Sequence, residues 1–214
     1  MPPSIFITLI LSALLLFYII FSYFRTKVPF VATPTTELDF ITSHLPITSS
    51  SVLYDLGCGR GKFLFAVEKY RPQKMVGFEL SPLHAWYAWA KARIFGSKVS
   101  VLNQDFFGAN IADATIIYLF LVPAIVQKTW LKIAAECSPG TLVVTLCDTI
   151  TGQSPVRTIS QHPDQPTGKF YFYEVPERSI THSTSLPSQG RERERGLATG
   201  HNELWIQNTK IHSA

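Results

Sequence analysis

Three glycines stand within five positions of one short segment, Asp55-Leu56-Gly57-Cys58-Gly59-Arg60-Gly61. Glycine has no Cβ, so backbone rich in it can turn tightly and can approach a ligand closely. Asp55 precedes these glycines and an apolar helical pattern follows them, which is typical of a ligand-binding turn between a strand and a helix. The free N–H groups at the start of that helix add hydrogen-bond donors. We therefore predict that this segment binds a small molecule.

Two common phosphate-binding motifs fit the spacing poorly. A dinucleotide-binding turn reads G-x-G-x-x-G or G-x-G-x-x-A, whereas Lys62 stands where its last glycine or alanine is expected. A P-loop reads G-x-x-x-x-G-K-[ST], and here Gly61-Lys62 is followed by Phe63 and has Leu56 at the fifth position before Gly61. An acid at the end of the strand also repels a pyrophosphate. NAD and nucleoside triphosphates are therefore disfavoured.

Acidic residues after the next two predicted strands describe a different ligand. Asp55 suits an ammonium group, and Glu79, at the end of the second strand, suits the two hydroxyl groups of a ribose. Asp105 follows the third strand, where it can accept a hydrogen bond from an exocyclic amine, and Phe106 can flank a purine. Ammonium, ribose and adenine together describe S-adenosylmethionine. The predicted cofactor-binding residues are Asp55, Gly57, Cys58, Gly59, Gly61, Glu79, Leu80, Asp105 and Phe106.

The elements that must position these residues alternate between strand and helix. Strand patterns cover residues 52–57, 75–80, 99–103, 114–120, 141–147 and 169–175, and helical patterns cover 61–70, 82–94 and 124–137. One more helix is predicted after Pro34, where Leu38, Ile41 and Leu45 recur at helical spacing. Such alternation indicates βαβ units. We predict an α/β fold with a doubly wound, mostly parallel sheet; residues 149–168 show no readable pattern.

The motif D-L-G-C-G-x-G, with an acid after each of the next two strands, resembles class I S-adenosylmethionine-dependent methyltransferases. The resemblance covers about residues 30–175 and implies a sheet of the seven-stranded methyltransferase type. It places a methyltransferase domain at residues 29–176 and implies an enzyme that moves a methyl group from S-adenosylmethionine to an acceptor.

Other segments resemble the small lysine methyltransferases related to the enzyme that methylates the c-subunit of ATP synthase. They are Pro29-Phe30-Val31 with Pro34, Gly77-Phe78-Glu79-Leu80-Ser81-Pro82, Trp86-Tyr87 and Val122-Pro123, although Ala32 replaces a usual proline. This resemblance implies that the acceptor is the ε-amine of a protein lysine. It also implies a membrane protein as substrate.

The segment after the fourth strand provides a separate indication of the acceptor. Many amino-methylating enzymes have [DN]-P-P-[YF] there, whereas this chain has Phe120-Leu121-Val122-Pro123, with no side-chain hydrogen-bond acceptor. This disfavours methylation of DNA adenine or of glutamine by that motif. It predicts an apolar slot lined by Phe120, Pro123 and Phe30, which suits the stem of a lysine. We name no catalytic acid or base, because methyl transfer depends mainly on positioning a neutral nucleophile.

A long apolar run precedes this domain. Residues 5–24 carry no charge, and as a helix they would reach about 30 Å, the thickness of a bilayer core. Arg25 and Lys27 follow directly, and no charged side chain precedes. We expect a single-pass transmembrane anchor that leaves the methyltransferase domain on the cytoplasmic side, by the positive-inside rule. A signal peptide or a buried core helix is the alternative.

Composition excludes other classes of partner. The net charge is only +4, and the sequence has no basic stripe with interleaved aromatic residues. We therefore predict no nucleic-acid partner. Cys58, Cys137 and Cys147 have no metal-ligand spacing, so we predict no metal and no disulfide framework. Residues 177–214 have few apolar positions and no periodicity, and we predict a disordered tail.

Two alternatives to a protein-lysine methyltransferase remain open from the sequence. An anchored enzyme can equally act on a lipid or a quinone. A non-catalytic S-adenosylmethionine-binding scaffold is the second alternative, although the intact set Asp55, Gly57, Gly59, Gly61 and Glu79 argues against lost function.

Overall fold

A computed structural model of the chain describes residues 2–26, 33–164 and 168–177. Phe30 and the predicted tail, beyond residue 177, lie outside these residues. Within them the helices are α1 (Pro3–Thr26), α2 (Thr35–Ser43), α3 (Lys62–Val67), α4 (Pro82–Ile94) and α5 (Pro123–Glu136). The strands are β1 (Val52–Leu56), β2 (Lys74–Phe78), β3 (Ser100–Leu102), β4 (Ile116–Leu119), β5 (Leu142–Leu146), β6 (Arg157–Ser160) and β7 (Lys169–Glu174).

The strands form one seven-stranded sheet in the order β3-β2-β1-β4-β5-β7-β6. Strands β1 to β5 pair in parallel, and β7 pairs antiparallel with both β5 and β6. The predicted α/β fold with a mostly parallel, seven-stranded sheet is therefore confirmed. β6 was not predicted. Strand order reverses between β1 and β4, and ligands of such sheets bind at that switch point, outside the carboxyl ends of the strands.

Alternating side chains of the strands build a separate apolar layer on each face of the sheet. On β4, Ile116 and Tyr118 pack with residues of α2 and α3, whereas Ile117 and Leu119 pack with residues of α5. β1 alternates in the same way. α4 lies beside α3, since the Lys91 ammonium sits 4.1 Å from the ring centre of Phe65. Both faces of the sheet are thus covered, which explains why its central strands are almost wholly apolar.

Helix α1 begins the chain and carries exposed apolar side chains, among them Leu9, Leu15 and Phe17. In the part of the chain that is described, none of the helices combines the length and the apolarity that a membrane crossing needs. The expected transmembrane span over residues 5–24 is therefore not confirmed.

Candidate active site

The glycine motif forms a tight loop between β1 and α3. Gly57, Gly59 and Gly61 have φ values of 92°, 54° and 71°, in the left-handed region that favours glycine. The loop is held from below, because the N–H groups of Gly57 and Cys58 both donate to the carbonyl oxygen of Phe78 at 2.9 Å. The three glycines therefore set the path of the backbone.

Cys58 lies in this loop, but its side chain points into the protein. A Cβ on Gly77 of β2 would stand 2.5 Å from the Cys58 sulfur, so Gly77 is what makes room for the thiol. Burial raises the pKa of that thiol, and the nearby charges of Asp55 and Glu79 raise it further. Any contact of Cys58 with a cofactor is therefore made by its backbone.

Glu79 follows β2 and joins three segments of the site. One carboxylate oxygen accepts a hydrogen bond from the N–H of Gly59 at 2.8 Å, and the other accepts one from the N–H of Ser81 at 2.6 Å. The amide of Asn103 donates to the carbonyl oxygens of Glu79 and Leu80 at 2.8 and 3.1 Å. Sequence reasoning missed Asn103, which stands directly after β3 and holds the backbone that carries Glu79.

Asp55 is buried near the end of β1, where its strand neighbours are Gly77 and Tyr118. Burial raises the pKa of its carboxyl well above the ordinary value, and the charge of Glu79 raises it further. Two acids thus share one end of the sheet. A ligand with a positive charge and hydroxyl groups offsets that repulsion, so the residues fit S-adenosylmethionine on this structural ground.

The segment after β3 is ordered by Asp105. Its carboxylate accepts a hydrogen bond from the N–H of Phe107 at 2.9 Å and starts a short 3₁₀ turn, Phe106–Gly108. The ring of Phe106 is buried in the core, whereas the ring of Phe107 is exposed. The predicted contact of Phe106 with a purine stays a prediction, and Phe107 is the more accessible aromatic ring.

Two of the residues predicted to line an apolar slot, Phe120 and Pro123, follow β4, and the slot itself stays a prediction. A Cβ on Gly57 would stand 2.5 Å from a methyl carbon of Leu121, so the chain after β4 packs directly on the loop. Phe120 is half-buried against the layer that contains α2 and α3, and Pro123 is exposed at the start of α5. Phe30, the third predicted lining residue, lies outside the described residues.

A polar cluster that the sequence did not reveal lies near the end of β4. The hydroxyl groups of Thr33 and Tyr118 are 3.2 Å apart, and the Lys62 ammonium donates to the Thr33 carbonyl oxygen at 3.4 Å. Burial raises the pKa of Tyr118, and the charges of Asp55 and Glu37 act in the same direction. The cluster connects the segment before α2 with the end of β4.

Glu37, in the first turn of α2, completes the cluster. Its Oε2 atom is buried and has no hydrogen-bond partner among the residues that the structure describes. Its Oε1 atom faces Gly168, where a Cβ would stand only 3.1 Å away. Because Gly168 adjoins the start of β7, which pairs with the end of β5, Glu37 lies over the carboxyl ends of the strands. No group of three potential metal ligands occurs among the described residues.

The seven-stranded sheet, the glycine loop at its switch point and the acids after β1 and β2 define an S-adenosylmethionine-dependent methyltransferase of class I. Comparison with known proteins supports this class directly: the family described as "ANTKMT methyltransferase domain" matches residues 55–157. The predicted class and cofactor are therefore confirmed. The roles of the individual site residues stay predictions.

Curated relatives and a solved structure extend the comparison. A protein-lysine N-methyltransferase of Saccharolobus islandicus is 28% identical over 70% of this chain and 95% of its own length. The adenine nucleotide translocase lysine N-methyltransferase of Mus musculus is 26% identical over 66% of this chain and 62% of its own. The crystal structure of an RNA methyltransferase from Salinibacter ruber, in complex with S-adenosyl-L-homocysteine, is 29% identical, covers 69% of this chain and 95% of that one, and has a TM-score of 0.63.

Proposed function

We propose that this enzyme transfers a methyl group from S-adenosylmethionine to the ε-amine of a protein lysine. The observation that carries the proposal is a buried carboxylate oxygen of Glu37 that has no hydrogen-bond partner among the described residues. An unpaired buried acceptor is costly unless a ligand satisfies it. A lysine supplies both an apolar stem for the slot and an ammonium donor for Glu37. The two relatives named as lysine methyltransferases support the same acceptor.

The residues of the chain divide the work of the reaction. The cofactor, when bound, supplies a methyl group on a positively charged sulfur. Gly57, Gly59 and Glu79 hold the cofactor in place, and Glu37 holds the incoming amine. Phe120 and Leu121 exclude water from the lysine stem. The Glu37 carboxylate by itself would raise the pKa of the lysine, whereas desolvation and the positive charge of the bound cofactor would lower it. The amine would release its proton to water and attack the methyl carbon as a neutral nucleophile, so that the N–C bond forms as the S–C bond breaks and the demethylated cofactor leaves.

We further propose that α1 attaches the enzyme to a membrane, with the methyltransferase domain on the cytoplasmic side, and that the substrate is a membrane protein. The exposed apolar side chains of α1 favour such a location, because exposure of so large an apolar surface to water is unfavourable. Attachment confines the domain near the bilayer and raises its effective concentration toward membrane substrates. Protease added outside intact cells should leave the domain uncut, and release of a shortened soluble protein would show that α1 is a signal peptide.

The acceptor is tested with tritiated S-adenosylmethionine and membranes of the source organism. We expect label in a protein band, and mass spectra of membrane proteins should then show methyl masses on one lysine. The c-subunit of ATP synthase is the first protein to examine. Label in the organic extract would assign a lipid or quinone acceptor, and label in RNA would assign an RNA acceptor. Absence of label would support the non-catalytic scaffold.

A further inference from the structure

Helix α4 presents its large side chains outward. Its buried residues are the small Ala85, Ala88 and Ala92, which allow close packing against the domain. Its exposed side chains are large and apolar: Leu83, Trp86, Tyr87, Trp89 and Ile94, with Phe95 directly after the helix. Trp86 is 62% exposed and Phe95 is 75% exposed. A surface helix of a soluble domain normally has the opposite arrangement. We name these six exposed side chains the α4 aromatic face.

Large exposed apolar side chains gathered on one helix mark a contact with another surface. Burial of such apolar side chains against a partner is favourable. Tryptophan and tyrosine are enriched in protein interfaces, and they are also enriched at the headgroup level of membranes. The charges around the face and its position decide between these two partners.

The charges favour an anionic partner. Helix α4 contains Lys91 and Arg93 and no aspartate or glutamate. The Arg93 guanidinium sits 5.5 Å from the ring centre of Trp89, and the Arg60 guanidinium sits 5.3 Å from that of Tyr87. Basic residues among exposed aromatic side chains are the pattern of helices that lie in a membrane interface, with their rings between the headgroups and their cations near the phosphates.

The position of α1 favours a membrane over a soluble protein. The Tyr18 hydroxyl of α1 is 3.1 Å from the hydroxyl of Ser81, the residue before the first turn of α4. Helix α1 therefore contacts the domain next to the start of α4. A bilayer that takes up α1 is thus placed beside α4.

We propose that the α4 aromatic face lies on the headgroup region of an anionic bilayer. This inference rests on the membrane attachment proposed for α1, and it adds a second contact that fixes the orientation of the domain. α4 begins three residues after Glu79, and Arg60 of the glycine loop contacts the face through Tyr87. The mouth of the active site is consequently held next to the membrane surface, where a lysine at the end of a transmembrane segment can reach it.

Tryptophan fluorescence tests the contact in the full chain. In a Trp205→Phe background the tryptophans are Trp86 and Trp89 on the face and Trp130, which is buried in the core. The protein is reconstituted into vesicles of phosphatidylcholine and phosphatidylglycerol, with or without bromine on the acyl chains. We expect brominated lipid to quench most of the exposed tryptophan emission and the vesicles to protect it from iodide. Iodide quenching that persists in vesicles would show that α4 stays in water, and the inference would then be wrong.

Charge reversal tests the anionic character of the lipid. Arg93→Glu changes the charge on the face, and Lys128→Glu is a matched reversal at an exposed position on α5, on the opposite side of the sheet. Since each basic residue near an anionic surface contributes about fivefold to binding, Arg93→Glu should reduce docking of α4 about tenfold or more, and Lys128→Glu should not. Equal quenching of both variants would contradict an anionic lipid contact.

The failure of this inference can be distinguished from that of the proposed function. Variants of the α4 aromatic face leave the glycine loop and Glu37 intact, so S-adenosylmethionine binding should be unchanged. Labelling of a membrane protein by a chain whose tryptophans remain exposed to iodide would preserve the lysine assignment and reject the docking. Quenching by brominated lipid without protein labelling would preserve the docking and reject the lysine acceptor.

Discussion

The Glu79 carboxylate accepts a backbone hydrogen bond from Gly59 at 2.8 Å, which joins the end of β2 to the glycine loop after β1. Its second oxygen accepts another from Ser81 at the start of α4. A carboxylate offers about four acceptor positions, so both oxygens can still receive ribose hydroxyl groups. One side chain therefore shapes the cofactor site and also belongs to it.

Substitution of Glu79 should accordingly affect both binding and stability. Glu79→Ala should weaken S-adenosylmethionine binding by about 1.5–3 kcal/mol, the scale of charged hydrogen bonds. Glu79→Gln should lose most of this binding free energy as well. The amide nitrogen of the glutamine is a donor, and it would face the donor N–H of Gly59 or of Ser81. Calorimetry of cofactor binding and a thermal unfolding curve measure the two effects. If both variants bind like the parent, Glu79 has no ribose contact.

Asp55 should lower the stability of the cofactor-free protein and strengthen its binding of S-adenosylmethionine. Burial raises the pKa of Asp55 in the folded protein above the unfolded value of about 3.9. Between these two values the folded protein binds a proton that the unfolded chain does not. The free energy of unfolding should therefore fall as the pH rises through that range. Asp55→Asn removes the buried charge. It should stabilise the cofactor-free protein by about 0.5–2 kcal/mol at neutral pH, flatten this pH dependence, and weaken S-adenosylmethionine binding. Unfolding curves from pH 4 to 8 test the sign, and a variant less stable throughout would contradict it.

Gly57 should tolerate no side chain. Its φ of 92° disfavours any other residue, and a Cβ would collide with Leu121. We expect Gly57→Ala to cost about 1–3 kcal/mol of stability and to remove cofactor binding, since the loop must move. Gly108→Ala is the matched control, because a Cβ there meets no atom within 4 Å. Equal melting temperatures for the two variants would be inconsistent with this prediction.

Glu37→Gln should impair use of the acceptor and spare the cofactor. The loss of a charged hydrogen bond corresponds to about 1.5–3 kcal/mol, or roughly 10- to 100-fold in kcat/KM for the labelled membrane substrate. Asp39→Asn on the same helix removes an equal charge from an exposed side chain that lies 3.7 Å from Lys69, so it should change little. A fall in S-adenosylmethionine affinity instead would assign Glu37 to the amino group of the cofactor.

The local features of this fold could be predicted, and the features set by distant contacts could not. The glycine loop and the strands β1, β2 and β4 have strong apolar or glycine patterns of their own. β6, Arg157–Ser160, has no such pattern: it is partly exposed and becomes a strand only by pairing with β7. Glu37 and Tyr118 are 81 positions apart in the sequence, and no motif predicts that they belong to one cluster.

The fixed path of the glycine loop has a consequence for turnover. Since the Gly57 and Cys58 N–H groups are already committed to Phe78, the loop has little rearrangement left to make when a ligand arrives. The glycine loop and Glu79 are expected to contact the parts that S-adenosylmethionine shares with its demethylated product. Such a site discriminates weakly between the two, so the enzyme should be subject to strong product inhibition. The ratio of cofactor to product in its surroundings, more than the supply of cofactor alone, should then govern how fast its substrate is methylated.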